Sequence, residues 1–417
     1  MSDRLSRLRA TFEGEILTPR HARYDQARRL WNAVHDLRPS IIARPSDAAQ
    51  VATALRFASD HDMELAVRSG GHSPAGHSGT DGGLVIDMAG MRGVNVDPAT
   101  RTARVNGGAL LGELDVAAQA HGLVCPVGVV GHTGVAGLTL GGGVGRLQRR
   151  FGLTIDNLRS VELVTADGRH VRASATQEPD LFWGLRGAGW NFGIATAFEF
   201  ELHPFGPDLH RGVRIYPATA ARDAWEVFRD AADSMPDTVA AIFGIGPPEE
   251  SAVALGTAGR PDPVVIVSYN HSGPAHETER ATAALRRGPE PLSVTRATQP
   301  YLDVQTAHDL LLGFGQRTFI AGLFADDLPL DAVDGLVQRV ANGPPGGSLG
   351  ITLQGGAIAR VGDDATAFTG RSARFDISTD STWGDAADDD LNSDWVRDTM
   401  AVVEPLALEG RYANENT

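Results

Sequence analysis

Glycine is concentrated at points where it would let this backbone touch something. The chain has 49 glycines among 417 residues, roughly 12% against a usual share of about 7%. Many gather in runs. One is Arg68-Ser69-Gly70-Gly71-His72-Ser73-Pro74-Ala75-Gly76-His77-Ser78, and a second is Leu140-Gly141-Gly142-Gly143-Val144-Gly145. Gly152-Leu153-Thr154-Ile155-Asp156-Asn157-Leu158 follows, then Gly187-Ala188-Gly189-Trp190-Asn191-Phe192-Gly193-Ile194. A residue without a Cβ reaches positive φ freely and lets the main chain lie against another segment or a ligand. One such loop proves little. Several within one half of a chain point to main chain wrapped around a large ligand.

Between these runs the apolar pattern reads as short strands and helices. Residues 24–35 have helical spacing, with Ala27, Leu30, Trp31 and Val34 on one side. Residues 40–44 read as a strand stopped by Pro45, and Ser46 and Asp47 open a helix to about residue 61. Residues 65–68 form a second strand that runs straight into Gly70-Gly71-His72, completing a βαβ unit whose strand ends suit a ligand. Further strands are expected at 83–87, 94–97, 102–106, 161–165 and 196–203, with helices at 110–121 and 180–186. The cluster Pro204-Phe205-Gly206-Pro207 marks a domain boundary. Beyond it, helices at 218–235, 277–287 and 331–340 and strands at 264–269, 317–324 and 373–377 alternate without a steady βαβ period. The fold class expected is α+β in two domains, residues 1–205 and 206–395.

Charge and composition narrow the chemistry. With 52 acidic against 37 basic residues the net charge is −15, the wrong sign for a phosphate-binding face, so no nucleic acid partner is expected. All 37 basic residues are arginine. Without lysine there is no Schiff base to pyridoxal phosphate, no catalytic lysine and no P-loop. The single cysteine, Cys125, excludes an intrachain disulfide and a cysteine-rich zinc site. The first 19 residues mix Arg, Asp and Glu and lack an apolar leader core. The uncharged stretch 123–144 contains Pro126, His132 and repeated glycine, which suits buried loops better than a membrane helix. The expectation is a soluble, cytoplasmic protein with no membrane partner.

Each glycine run has a chemical reading and a plain one. His72, between glycines, presents an imidazole nitrogen nucleophilic enough to bond an activated carbon, but a turn histidine without function fits the local pattern equally well. Amides of the 141–145 loop can point at a pyrophosphate, or the loop is a hinge. The 187–194 turn precedes a strand, so it is not a dinucleotide fingerprint.

Other segments join these runs: Tyr24-Asp25-Gln26-Ala27-Arg28, Trp31-Asn32, Arg38-Pro39, and Gly134-Val135-Ala136-Gly137-Leu138-Thr139-Leu140-Gly141-Gly142-Gly143. In the second half there are Gly356-Ala357-Ile358-Ala359-Arg360-Val361 and Asp364-Ala365-Thr366-Ala367-Phe368. Together they resemble the flavoprotein superfamily of vanillyl-alcohol oxidase and p-cresol methylhydroxylase (PCMH), in its berberine bridge enzyme-like branch, over nearly the whole chain. The resemblance implies a PCMH-type FAD-binding domain and a substrate domain on an antiparallel sheet covered by helices, which roofs the pocket. It implies FAD bonded through its 8α-methyl to His72, with Arg68, Ser69, Gly70, Gly71, Ser73, His77 and Ser78 around it. Gly141, Gly142, Gly143 and Gly145 would contact the pyrophosphate, and Asp156, Asn157, Gly189, Asn191, Gly193 and Ile194 the ribose and adenine side. Gly128, Val129, Thr133, Gly137 and Asn414 complete the expected cofactor contacts. No metal is expected.

Cys125-Pro126-Val127-Gly128-Val129-Val130-Gly131-His132 has the shape of a segment that bonds the flavin C6 in some members, one residue shorter. Cys125 is therefore either a second link or a small buried hydrophobe. His132 would stabilise charge on the reduced ring or be a core histidine. The chain ends Tyr412-Ala413-Asn414-Glu415-Asn416-Thr417. After a Tyr-x-Asn motif the family continues for several tens of residues, so residues 396–417 are expected to start a shortened return segment. Apolar surface left uncovered would favour a homo-oligomer. Glu415 stands where related plant enzymes have a proton-abstracting tyrosine, making Glu415, Tyr412 and His132 the catalytic candidates. Tyr301, Gln354 and Arg371 are further polar candidates for the pocket. The expected activity is oxidation of a C–O or C–N bond in a sugar, another alcohol or a specialised metabolite, by hydride transfer to flavin N5, with O2 as acceptor. Two other readings stay open: a non-catalytic protein of the same fold, and an NAD-dependent dehydrogenase, which the missing fingerprint opposes.

Overall fold

A computed structural model of the protein describes residues 2–246 and 263–417, with side chains from residue 5 onward. Two small sheets build most of the first half, with a two-stranded pairing of Leu123–Val124 and His203–Pro204 beside them. Strands β1 (Glu15–Leu17), β2 (Ile41–Arg44), β3 (Leu65–Arg68) and β4 (Leu84–Asp87) lie in the order β1-β2-β4-β3, with β2, β4 and β3 parallel. Asp47 caps α1 (Ala48–Asp60) by accepting from the Gln50 amide at 2.9 Å. The buried face of α1, including Val51, Ala54 and Leu55, shares a core with Ile41, Leu84 and Ile86. The expected βαβ unit is present with one difference: β4 inserts between β2 and β3, so the Gly-Gly-His run leaves from an edge strand. Strands β5 (Val94–Asp97), β6 (Thr102–Asn106), β7 (Leu158–Val164), β8 (His170–Ser174) and β9 (Ile194–Glu201) form an antiparallel sheet in the order β5-β6-β9-β7-β8. Helix α2 (Leu111–Gln119) buries Leu111, Leu114 and Ala118 against it, and α3 (Val135–Leu140) leads into the second glycine run.

The second half is one seven-stranded antiparallel sheet. It comprises β10 (Asp208–Pro217), β11 (Val239–Gly246), β12 (Val264–His271), β13 (Ser293–Pro300), β14 (Arg317–Ala325), β15 (Gly347–Leu353) and β16 (Phe375–Trp383). Their order is β13-β10-β12-β11-β15-β16-β14. Helices α4 (Ala221–Ala232), α6 (Leu330–Ala341) and α7 (Asp389–Val403) cover one face, where Trp225, Leu336 and Val396 meet Phe243, Ile351 and Phe375. The short α5 (Tyr301–Thr306) instead meets α2. Alternation turns Arg211, Asn270, Thr352, Asp376, Ser378 and Asp380 to the opposite face. That face looks at the first half: Phe324, beside Asp376 in the register, clusters with Leu153 and Ile155. The expected α+β arrangement of two domains, one on a helix-covered antiparallel sheet, is the one found.

Local expectations fared unevenly. The helix expected at 24–35 stops at Arg28, because Asn32 is drawn into a bridge with Gln316 and exchanges hydrogen bonds with Thr318 at 2.8 and 3.0 Å. The helix expected at 277–287 breaks into single turns, and the strand expected at 373–377 runs instead from Phe375 to Trp383. Helix α7 crosses the boundary expected at residue 395, because Trp395, Val396 and Met400 all belong to the sheet's core. No helix among the described residues is long and apolar enough to cross a membrane.

A buried ion pair clamps the halves together. Arg371, 0% exposed, donates to the Asp156 carboxylate at 2.7 and 3.1 Å and to Thr366 Oγ1 at 2.8 Å. The Leu153 amide completes Asp156 Oδ2 at 2.9 Å. Removing one partner strands the other charge in the interior, at a cost of about 3–5 kcal/mol. Arg371→Met is therefore expected to lower the melting temperature by several degrees in calorimetry. Arg104→Met, which breaks the exposed Arg104–Glu162 pair, should barely move it. Equal shifts would show that the clamp carries no special weight.

Candidate functional site

Strand β3 ends at Arg68 and delivers Ser69-Gly70-Gly71-His72 to the middle of the first half. A Cβ on Gly70 would stand 2.2 Å from the Gly134 nitrogen, and one on Gly134 2.3 Å from the Gly70 nitrogen. Only bare backbone lets the two segments cross this closely. Gly71 turns the chain with φ of 72°, and His72 arrives beside His132. Ser69 Oγ ties the crossing to the Gly107 carbonyl at 2.8 Å.

His72 Nε2 lies 2.6 Å from His132 Nδ1, and His132 Nε2 lies 3.1 Å from the Asp309 carbonyl oxygen. A carbonyl only accepts, so His132 Nε2 holds a proton; in the neutral pair His132 Nδ1 accepts from His72 Nε2–H. His72 Nδ1 keeps an uncommitted lone pair. Trp31 stacks on the His72 ring at 5.1 Å between centroids, and Phe314 meets it edge-on at 5.6 Å. Burial, then His132 and Arg68, push the His72 pKa down to about 3. The ring therefore stays neutral and nucleophilic at ordinary pH. Arg68 donates to the Ala27 carbonyl and has no ion-pair partner among the described residues.

The second run is fastened from the far end of the chain. Gly142 and Gly143 take φ of 129° and 84°, and the Tyr412 hydroxyl accepts from the Val144 amide at 3.2 Å. Asn414 Nδ2 donates to that hydroxyl at 3.0 Å and to the Leu138 carbonyl at 3.1 Å. Burial, then Glu415, raises the Tyr412 phenol far above its ordinary range. Tyr412, a catalytic candidate from sequence, is thus a neutral hydroxyl that holds a loop. Trp190 of the 187–194 turn also reaches Gly141: a Cβ there would stand 2.7 Å from its ring.

Glu415 goes elsewhere, onto the polar face of the large sheet. Its Oε2 lies 3.5 Å from where a Gly322 Cβ would stand, and Gly322 pairs with Ser378, between Asp376 and Asp380. Asp380 accepts from Ser348 Oγ at 2.8 Å, while Asp376 Oδ1 has no hydrogen-bond partner. Burial raises Asp376 to about 7 and Asp380 to about 6. Glu415 is raised well above its usual range by burial, then by Asp376 and Asp380. Sequence reasoning missed both aspartates. The available signal was the alternation Asp376-x-Ser378-x-Asp380, beyond the point where the strand was expected to end.

Several other candidates are engaged by the protein itself, and a few are not. Both Asp156 oxygens serve Arg371 and Leu153, so the carboxylate is engaged in the clamp. Asn157 donates to the Phe151 and Leu153 carbonyls at 3.0 and 2.9 Å, and its Oδ1 meets His203 Nε2 at 2.5 Å. Cys125 sits in the apolar core with Leu111 and Leu114, where burial and then Asp115 push the thiol far up. Tyr301 donates to buried Asp115 at 3.3 Å, and Gln305 to the Gly128 carbonyl at 2.9 Å. Ser73 Oγ accepts from the His77 amide at 3.2 Å; His77 and Asn191 are exposed, and Gly137 faces open space. Gly189 lies under Leu140, Gly193 takes φ of 147°, and Ile194 is buried at the start of β9. Gln354 is buried on the sheet, its carbonyl accepting from Arg149.

Known proteins share this architecture. Residues 39–174 match the family described as an FAD binding domain. Over 296 residues the chain is 34% identical to (R)-6-hydroxynicotine oxidase of Paenarthrobacter nicotinovorans, covering 70% of this chain. That alignment takes in 62% of the relative, less than two thirds of its length. The crystal structure of 6-hydroxy-D-nicotine oxidase from Arthrobacter nicotinovorans superposes with a TM-score of 0.84 at 27% identity, covering 98% of this chain and 90% of that one. BBE-like 1 of Physcomitrella patens gives 0.88 at 24% identity, covering 99% and 90%, a likeness of fold.

The raised carboxyls set a pH dependence. A buried acid with its pKa near 7 keeps a proton that the unfolded chain has released, so its cost to stability grows from about pH 4 until it titrates near pH 7. Asp376→Asn removes that cost. Its melting temperature should exceed the wild type's by roughly 2–4 °C at pH 8, and the gap should narrow at pH 5. A gap that does not change with pH would contradict the raised Asp376 pKa.

Proposed function

We propose that the chain is a member of the berberine bridge enzyme-like family of FAD-linked oxidoreductases, that it carries FAD covalently on His72, and that it oxidises a C–O or C–N bond of a small organic substrate. The uncommitted His72 Nδ1 carries this reading: a neutral, half-buried imidazole whose other nitrogen is tied to His132. The surroundings fit the group. Gly70 and Gly134 keep side chains off a strip of backbone, Arg68 offers a guanidinium without a carboxylate, and Gly137 borders open space. Residues 68–72 with Thr133 and Gly137 would hold the flavin side. The 141–145 loop, fastened by Tyr412 and Asn414, would hold the pyrophosphate. A second link through Cys125 is not part of this reading, because burial suppresses the thiolate that would attack.

FAD, when bound, supplies the hydride acceptor and a route for electrons to O2. The chain supplies the proton acceptor. Asp376 Oδ1, unpartnered and with its pKa near 7, takes the proton from the substrate's O–H or N–H as the neighbouring carbon is oxidised. Glu415, raised by burial and then by Asp376 and Asp380, lies on the same face, and Ser348 fixes Asp380. The relatives' names support a small organic substrate: two are hydroxynicotine oxidases.

Anaerobic mixing with a panel of amines, alcohols and sugars is expected to bleach the flavin with at least one of them. Asp376→Asn should slow that bleaching about 10²–10⁴-fold at unchanged flavin content, and Glu415→Gln should slow it less. An unchanged rate in Asp376→Asn would remove it as the base. A wild-type flavin that nothing bleaches would favour a non-catalytic protein of this fold.

A further inference from the structure

The polar face of the seven-stranded sheet is acidic at one end and basic at the other. Asp376 and Asp380 stand on β16, whereas Arg211 stands on β10, four strands away and hence roughly 19 Å across the sheet. Two more basic groups join Arg211. Arg146, which follows the 141–145 loop, donates from Nη2 to His308 Nδ1 at 3.1 Å and to the Val304 carbonyl at 3.4 Å. His308 Nδ1 is therefore an acceptor, and its Nε2 carries the ring proton. Arg211 Nη1 donates to Gln299 Oε1 at 3.3 Å.

Three separate segments thus bring two guanidinium groups and an imidazole together without an ion-pair partner among the described residues. Arg146 Nε has no hydrogen-bond acceptor among them. The acid nearest His308 is Asp309, and its carboxylate accepts from the Gly131 amide at 2.7 Å. Burial, then Arg211, lowers Arg146 to about 10; burial, then Arg146 and Arg211, lowers His308 to about 4. A chain with 52 acidic residues had many with which to neutralise such a cluster, yet none of the described ones forms an ion pair with either arginine. Half-buried cations are costly unless an anion completes them.

We propose that Arg146, Arg211 and His308 form a site for an anionic group of the substrate, a carboxylate or phosphate ester held at the basic end of the polar face. The assignment to substrate rests on the reading that this face roofs the substrate pocket. The substrate then carries its acid at one end and the oxidised carbon at the other, toward Asp376. Arg211 and the His308 imidazole supply a charge and a donor, and Arg146 supplies the geometry of a fork. The same oxyanion chemistry could come from the diphosphate of FAD, and the test separates the two sources.

The purified holoprotein is titrated with acetate and with inorganic phosphate against sodium chloride at matched ionic strength, reading melting temperature and bound flavin. A saturable rise in melting temperature is expected for the wild type. Arg211→Gln and Arg146→Gln should weaken that response at least about tenfold in apparent Kd at an unchanged flavin-to-protein ratio, and Arg211→Lys should retain most of it. In chloride alone Arg211→Gln should melt no lower than the wild type, since it removes an unpaired cation. No saturable response in the wild type, or one untouched in both glutamine variants, overturns the site. Loss of flavin in those variants assigns the anion to FAD and overturns the substrate assignment. An anion response that both variants lose, in a wild type without flavin, would sustain the site while the function proposed above fails.

Discussion

Everything proposed for this chain depends on one close approach of bare backbone. The main chain at Gly70 and Gly134 crosses so tightly that a single Cβ on either would collide with the other's amide nitrogen. That crossing sets His72 against His132. The pair then decides where protons lie: the Asp309 carbonyl fixes His132, His132 fixes His72 Nε2, and His72 Nδ1 is left free. A methyl group added at Gly70 would not merely crowd the site. It would push two segments apart and undo the order of the protons.

The second half contributes a surface of opposite character. Its helix-covered face carries the apolar core, with Ser381 donating to Asn392 of α7 at 2.6 Å, while the face turned to the first half carries acids at β16 and an arginine at β10. The halves are held in register by groups that a reader of sequence would assign to ligands. Asp156 meets Arg371, Tyr412 and Asn414 fasten the 141–145 loop, and Arg149 donates to the carbonyls of Met235, Val239 and Gln354. Positioning residues surround the site, and His72 Nδ1 and Asp376 Oδ1, which carry no hydrogen bond, are the atoms proposed for chemistry.

Much of the local structure was legible in the sequence. Strands at 65–68, 94–97 and 102–106 match the structure at both ends, because short alternating runs bounded by turn residues leave little choice. The Asp47 cap was legible for the same reason. What escaped depends on contacts distant in sequence. The insertion of β4, the unwinding at Trp31 and the pairing of Asp156 with Arg371 each join segments that no local pattern connects. At the site, the glycine runs announced themselves and His72 stood out between them. Asp376 and Asp380 did not, because an acidic alternation on a strand reads as solvent-facing until another layer buries it.

The account stands or falls on the bond at His72, and the intact mass of the denatured protein tests it most directly. The wild type should be heavier than its sequence by one FAD, and His72→Ala should have the unmodified mass. A wild type at the unmodified mass that releases its flavin on denaturation, or a His72→Ala variant that keeps the adduct, would contradict it.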